Sequence, residues 1–242
     1  ITLRKALALS RNVVTVRVLD VIGLDPVVAL SRKLGITSHM DVDLSMGLGS
    51  ASLTMPEVAR AYSAFATVGH KVDPHYIQKV VDRDGVTLES YQPVEFEVVL
   101  DPSVATIMNW MLIEVASNGT AAKAQKLGLH VAGKTGTTND NRDAWFVGYT
   151  PTVLTAVWVG YDRPKSLGGQ ATGGHTALPI WMQYMEKAAP KDQDRPFKTG
   201  GNVVFATIDE ASGRPSASGR SMPFLPGTVP GGVAAEAGQK TS

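Results

Sequence analysis

No cysteine occurs among the 242 residues, which excludes disulfides, thiolate metal sites and a cysteine nucleophile. The absence fits an oxidising compartment, where a stray thiol is a liability, although many cytosolic chains also lack cysteine. A surplus of either charge is missing too: 23 basic residues stand against 22 acidic ones. A dedicated nucleic-acid surface needs a concentrated basic face, so no nucleic-acid partner is expected. No apolar run reaches the length of a membrane span, and "ITLRKALALSRNVV" has no signal-peptide layout. The chain opens without an initiating Met, as if inside a helix, and reads as a piece of a longer one. Its five histidines (His39, His70, His75, His130 and His175) form no pair at metal-ligand spacing with a carboxylate, so no metal site and no cofactor is expected. What is present is a core: 43% hydrophobic against 19% charged residues argues against wholesale disorder.

Helices dominate the first half. Apolar spacing over residues 3–22 is broken at Ser10-Arg11-Asn12, whose side chains compete for backbone hydrogen bonds; the pattern predicts a short helix, a turn around Ser10 and a second helix from about Val13. "LDPVVALSRKLG" reads as a helix with Asp25 as N-cap, Pro26 in its first position and Gly35 as stop. Thr54 and Glu57 form a Thr-x-x-Glu capping box at the head of a helix that Gly69 ends. Residues 76–91 predict a hairpin turning at Asp84-Gly85, and Asp101 caps a further helix that stops at Gly119. From His130 the texture changes to three successive strands, "HVAGKTGT", "AWFVGYT" and "VLTAVWVGYD", with short antiparallel links. A Gly-rich stretch and a closing helix, "LPIWMQYMEKAA", follow. This is an α+β arrangement, an antiparallel sheet flanked by helices. Residues 1–189 are expected to form one domain and residues 190–242 a C-terminal extension. That extension reads as a hairpin at about 202–218 followed by a flexible tail.

Chemistry concentrates in Lys134-Thr135-Gly136-Thr137. The tripeptide Lys-Thr-Gly alone also reads as a turn with a surface lysine. On a strand, however, a lysine can attract a carboxylate, two threonine hydroxyls can donate to it, and Gly136 leaves the edge open to an extended peptide. Ser10-x-Asn12 is either a helix break or a proton-relaying hydroxyl beside an amide that holds a substrate carbonyl.

Taken in order, "ALALSRNVVTVRVL", "SLTMPEVARAYSAFATVG", "VAGKTGTTNDNRDAWFVGYTP" and "GGHTALPIWMQYM" closely resemble the transpeptidase domain of class A penicillin-binding proteins, with the last segment most like the 1a type. The resemblance covers about Ile1 to Ala188. It implies the serine DD-transpeptidase/β-lactamase-like fold with its N-terminal part missing. The family's nucleophile is the serine of a Ser-x-x-Lys element, and no serine here is followed by a lysine three positions later. The upstream part of the same protein is therefore the partner expected to supply it, and this chain alone is expected to be inactive.

The resemblance also implies roles for individual residues. Ser10 would pass a proton toward the leaving nitrogen, and Asn12 would hold an acyl-chain amide. Lys134 would raise the local positive potential. Thr135 and Thr137, with Gly136 between them, would bind the terminal carboxylate, and the Thr137 N–H would be one oxyanion-hole donor. Asp143 reads as fixing the turn between two strands. The implied function is cross-linking of peptidoglycan stem peptides on lipid II-derived glycan, with β-lactams as inhibitors. It is placed in the periplasm, anchored to the bacterial inner membrane by an upstream segment, in a protein that also carries a glycosyltransferase. A D-Ala-D-Ala carboxypeptidase and a non-catalytic stem-peptide or β-lactam-binding module are the alternatives.

Overall fold

A computed structural model describes residues 1–92 and 96–232, with the backbone of residues 236 and 237. The Thr2 hydroxyl accepts from the Lys5 N–H and starts α1 (Leu3–Ala8). This helix stops in a Schellman turn: the Ser10 N–H bonds the Leu7 carbonyl and the Arg11 N–H bonds the Ala6 carbonyl. The motif needs a left-handed residue, and Ser10 fills that place with φ 52°. α2 (Asn12–Ile22) and α3 (Leu24–Lys33) meet at Gly23. The expected cap of α3 at Asp25 is corrected to Gly23, whose φ of 82° is open to glycine; the chain turns there, and Asp25 falls in the first helical turn, where its carboxylate still faces the positive end.

α4 (Met55–Ala66) carries the complete capping box of Thr54 and Glu57. Glu57 does more than cap. Its carboxylate also accepts the N–H and hydroxyl of Thr37 and of Ser38, four bonds of 2.7–2.8 Å that tie the loop after α3 to the head of α4. Burial alone would raise the Glu57 pKa, but the bonds from Ser38 and Thr54 hold it far below the ordinary glutamate range.

Four short strands follow, β1 (His70–Lys71), β2 (Lys79–Val81), β3 (Thr87–Ser90) and β4 (Glu97–Val98). They form two antiparallel pairs, β1 with β4 and β2 with β3, the latter turning through Gly85 as the sequence indicates. α5 (Pro102–Asn118) begins where expected, with the Asp101 carboxylate accepting from Ser103 N and Val104 N at 2.7 and 3.3 Å.

The central sheet is β5 (Ala132–Thr137), β6 (Ala144–Tyr149) and β7 (Leu154–Val159), antiparallel and in that order. Side chains alternate between its faces. On one, Ala132 and Tyr149 pack against Leu112 of α5; the Tyr149 hydroxyl donates to Asn109, whose amide donates to the Phe65 carbonyl at 2.7 Å. On the other, Phe146 meets Trp181 of α6 (Leu178–Ala188) edge-on, ring centroids 5.0 Å apart. The buried indole N–H of Trp181 is shared between the Gly148 and Thr155 carbonyls at 3.2 and 3.1 Å, so its polar edge is satisfied. Gly148 is required beneath it, because a Cβ there would run into Phe146 and Trp181. Helices on both faces of an antiparallel sheet are the α+β architecture anticipated above.

After α6, β8 (Val204–Ile208) pairs with β9 (Arg220–Phe224), and β10 (Glu236–Ala237) adds to the outer edge of β8. The second strand of this hairpin thus lies beyond residue 218, and the parts of the expected tail at residues 233–235 and 238–242 lie outside the described residues. The hairpin is fastened by ions. Glu114 of α5, with its side chain 10% exposed, accepts from Arg4 of α1, from Arg220 at 3.1 Å and from Asn118 at 3.0 Å. Glu210 accepts from the same two arginines at 3.2 Å.

Burial would raise the Glu114 pKa; the hydrogen bonds from Arg4 and Asn118 and the charges of Arg4 and Arg220 outweigh it and lower it. A group depressed in the folded state stabilises above its unfolded pKa, and that stability is lost as pH falls through the folded value. Glu114→Ala is therefore expected to cost about 3 kcal/mol at pH 7, because buried Arg4 loses its buried partner and keeps only the half-exposed Glu210. The half-exposed Glu210→Ala should cost about 1 kcal/mol or less. Urea denaturation at pH 7 and below pH ~4.3 checks both, with the Glu114 penalty shrinking in acid. Equal costs for the two variants would refute this account of the cluster.

Candidate active site

The backbone of β5 decides what the site can do. Thr138 N–H bonds the Asp143 carbonyl at 3.2 Å, and the register sets Gly136 against Trp145 and Lys134 against Val147. Hydrogen-bonding pairs alternate in an antiparallel ladder, so the even-numbered residues of β5 bond β6 and the odd ones point the other way. The N–H and C=O groups of Thr135 and Thr137 thus face an edge that no described strand pairs. An extended chain could add there.

Lys134 curls onto this edge. Its Nζ donates to the Thr135 carbonyl at 2.7 Å and to Ser10 Oγ at 2.8 Å. Burial pushes the lysine pKa down to about 8, and no carboxylate pairs with it among the described residues. Because Ser10 Oγ accepts from the ammonium, its own proton is free to donate elsewhere. Ser10 is held in that position by the Schellman turn and by the end of α5: Thr120 N–H donates to the Ala8 carbonyl at 3.0 Å, and Gly119 presses so close to that carbonyl that a Cβ would not fit.

The remaining residues fall out unevenly. Thr137 is exposed at the end of β5, and its hydroxyl oxygen accepts from Gly173 N–H at 3.0 Å. Gly136 leaves room for the Trp145 side chain beside it, 3.1 Å from where a Cβ would lie, so its small size serves packing as well as an open edge. Asn12 opens α2, exposed, with no side-chain hydrogen bond among the described residues. Thr135 departs from the expected arrangement. It is only 8% exposed, and its hydroxyl meets that of Thr120 at 2.6 Å instead of lying open to a ligand. The reason is coverage: Thr120 and Gly174 lie over that part of the strand. Sequence reading missed Thr120 because Gly119-Thr120 carries only the signal of a helix stop.

The β5–β6 turn is braced from within. Asp143 accepts from the Trp158 indole at 2.8 Å, and its N–H donates to Thr138 Oγ1 at 2.8 Å, across Asp140 and Asn141 with φ of 59° and 50°. No group of histidine, aspartate and glutamate side chains among the described residues could hold a metal ion.

An antiparallel sheet between helical layers, with a lysine and a serine joined at its open edge, matches the serine transpeptidase/β-lactamase-like fold. A crystal structure of penicillin-binding protein 1A from Haemophilus influenzae superposes with a TM-score of 0.87 at 26% identity, over 95% of this chain and 40% of that one. The PonA1 protein from Mycobacterium tuberculosis, solved in complex with penicillin V, follows with a TM-score of 0.69 at 27% identity, over 81% of this chain and 58% of that one. Penicillin-binding protein 1A of Neisseria meningitidis is 43% identical across 84% of this chain. The penicillin-binding protein transpeptidase domain model matches residues 1–186, and the chain belongs to that family. It spans about a quarter, 26%, of the length of the Neisseria relative.

Two outcomes follow from the geometry alone. Ser10→Gly should raise stability by about 1 kcal/mol by relieving the left-handed strain, whereas Ser10→Ala should not; thermal unfolding of both variants checks this, and equal transitions would count against it. The Lys134 ammonium, followed by NMR of its side-chain carbons, should titrate near pH 8 because burial disfavours its charge.

Proposed function

We propose that these residues form the acceptor and proton-transfer wall of a peptidoglycan DD-transpeptidase site. The observation that carries the reading is the Lys134–Ser10 bond of 2.8 Å beside the outward-facing Thr137 N–H. The nucleophile is a serine of a Ser-x-x-Lys segment outside these residues. Its oxygen attacks the penultimate D-Ala carbonyl of a stem peptide. The attacking hydroxyl gives its proton to the lysine of its own Ser-x-x-Lys segment as the C–O bond forms; the C–N bond to the terminal D-Ala then breaks, and the departing nitrogen takes the Ser10 proton, which that lysine replaces. Lys134 keeps the Ser10 oxygen occupied as an acceptor, which directs the Ser10 proton outward to that nitrogen. The Thr137 N–H donates to the oxyanion, with the nucleophile's own N–H as the second donor. An amine of a second stem then attacks the ester: a C–N bond forms, the ester C–O bond breaks, and the amine's proton returns to the serine oxygen, which completes the cross-link. Asn12 holds the acyl-chain amide.

β-Lactams enter the same cradle because they present a carboxylate and an acylating carbonyl; the complex of PonA1 with penicillin V supports this reading. Residues 1–189 serve as the transpeptidase domain without its Ser-x-x-Lys segment, and residues 190–242 as an extension attached to it. The substrates are stem peptides on lipid II-derived glycan. The complete protein works in the periplasm, held to the inner membrane by a segment elsewhere; no helix among the described residues is long and apolar enough to cross a membrane.

Intact mass spectrometry with a labelled penicillin tests the proposal. The protein that includes its Ser-x-x-Lys segment is expected to take up one label, and these 242 residues alone none. Ser10→Ala and Lys134→Ala in the complete protein should slow labelling by ~100-fold, the range of a lost acid–base group. Labelling of the short chain itself, or undiminished labelling of both variants, would sink the mechanism. With an anionic penicillin, the labelling rate should also fall as pH rises through about 8, because Lys134 loses its charge there.

A further inference from the structure

The short helix α1 is held against α5 at both ends. At its last turn the Ala8 carbonyl accepts from Thr120 N–H at 3.0 Å, with Gly119 pressed against it. At its first turn Arg4 Nη2 donates to Glu114 of α5 and, at 3.2 Å, to Glu210 of the C-terminal hairpin. Arg220 Nη1 holds the same two carboxylates from the other side, at 3.1 and 3.2 Å. The turn of that hairpin also reaches α1, since a Cβ on Gly213 would lie 3.6 Å from the Thr2 methyl.

Stability alone is a poor reason for an arginine at this place. The Arg4 side chain is 12% exposed, and its Nη1 is buried with no hydrogen-bond partner among the described residues. Replacing a buried ion pair by apolar groups of similar volume is often neutral or stabilising, because desolvating the charges offsets what their pairing gains. What the guanidinium adds is direction. One nitrogen shared by two carboxylates ties the first turn of α1 to α5 and to the hairpin at once.

That tie matters at Ser10. Arg4 and Ala8 are four residues apart, about 6 Å along the helix axis, and Ser10 lies just past Ala8 in the Schellman turn. With the Arg4 end released, α1 can pivot at the Ala8 contact, and a shift of ~1 Å at Arg4 becomes roughly half that at Ser10. Misplacing a reacting group by ~1 Å can cost ~100-fold in rate, so half that displacement corresponds to about tenfold.

We propose that Arg4, gripped by Glu114 and Glu210, is a positioning residue for the acylation step. Through α1 it sets the place of the Ser10 hydroxyl, and the C-terminal hairpin takes part by supplying Glu210 and Arg220. This deepens the transpeptidase reading and rests on it.

The test uses the complete protein carrying Arg4→Met, which fills similar space and leaves Glu114 its bonds from Arg220 and Asn118, and Arg4→Lys, which keeps a charge for Glu114. Each is made alone and together with Ser10→Ala, and acylation by a labelled penicillin is followed against concentration. Arg4→Met is expected to lower the limiting rate about tenfold and to leave the half-saturating concentration within about twofold, since Ser10 acts on the departing nitrogen and not on binding. In the Ser10→Ala background the same change should alter the rate by less than about twofold, because no hydroxyl is left to misplace. Arg4→Lys should stay close to the parent. If Arg4→Met does not fold, Glu114→Gln, which loosens the same grip from the α5 side, takes its place with the same expectations. Equal losses in the two backgrounds would give Arg4 a merely structural role and overturn the proposal, as would no loss in either. A parent protein that takes up no label would overturn the transpeptidase reading itself, and this assignment with it.

Discussion

The backbone contact between the end of α5 and the end of α1 governs the geometry of this protein. Thr120 N–H and the close approach of Gly119 hold the Ala8 carbonyl, and two residues later the chain reaches Ser10. The Thr120 hydroxyl holds β5 at the same time. One short segment therefore locates the Ser10 turn relative to Lys134. A change there would alter the distance between two hydrogen-bonded side chains 124 positions apart without touching either. Backbone atoms set this spacing, which leaves little rotamer freedom in it.

Around that junction the protein places charge where burial makes it consequential. Lys134 is half-buried with no carboxylate partner among the described residues, and its affinity for a proton falls through that burial. Glu57 and Glu114 are buried with full sets of donors, and theirs falls for the opposite reason, since hydrogen bonds and arginines favour the anion. The two glutamates are spent on joining segments: a loop to α4, and the C-terminal hairpin to α1 and α5. The lysine is left with unused capacity, as is Ser10, and capacity of that kind is what binds and transforms a ligand. Strain follows the same division. The left-handed Ser10 is held by a Schellman turn in which glycine would be easier, and the hydroxyl is what glycine lacks.

Much of this was legible beforehand. The Thr54–Glu57 box, the Asp101 cap, the Gly85 hairpin and the three strands after His130 depend on residues within a few positions of one another, and each formed as read. Asp25 misled because a capping side chain and a glycine two residues earlier offered competing starts, and the backbone freedom of Gly23 prevailed. Lys134 and Ser10 were paired through likeness to a family, since nothing local links them.

The sequence by itself determined the helices, the strand alternation that points Thr135 and Thr137 to one face, and the presence of a Lys-Thr-Gly-Thr strand. These follow from short-range rules of propensity, capping and period. Tertiary structure alone decided which hydroxyl lies open. Thr135 and Thr137 are equivalent in the motif, yet one is covered by Thr120 and Gly174 and the other is not. Coverage depends on packing between elements distant along the chain, and no local rule carries that information.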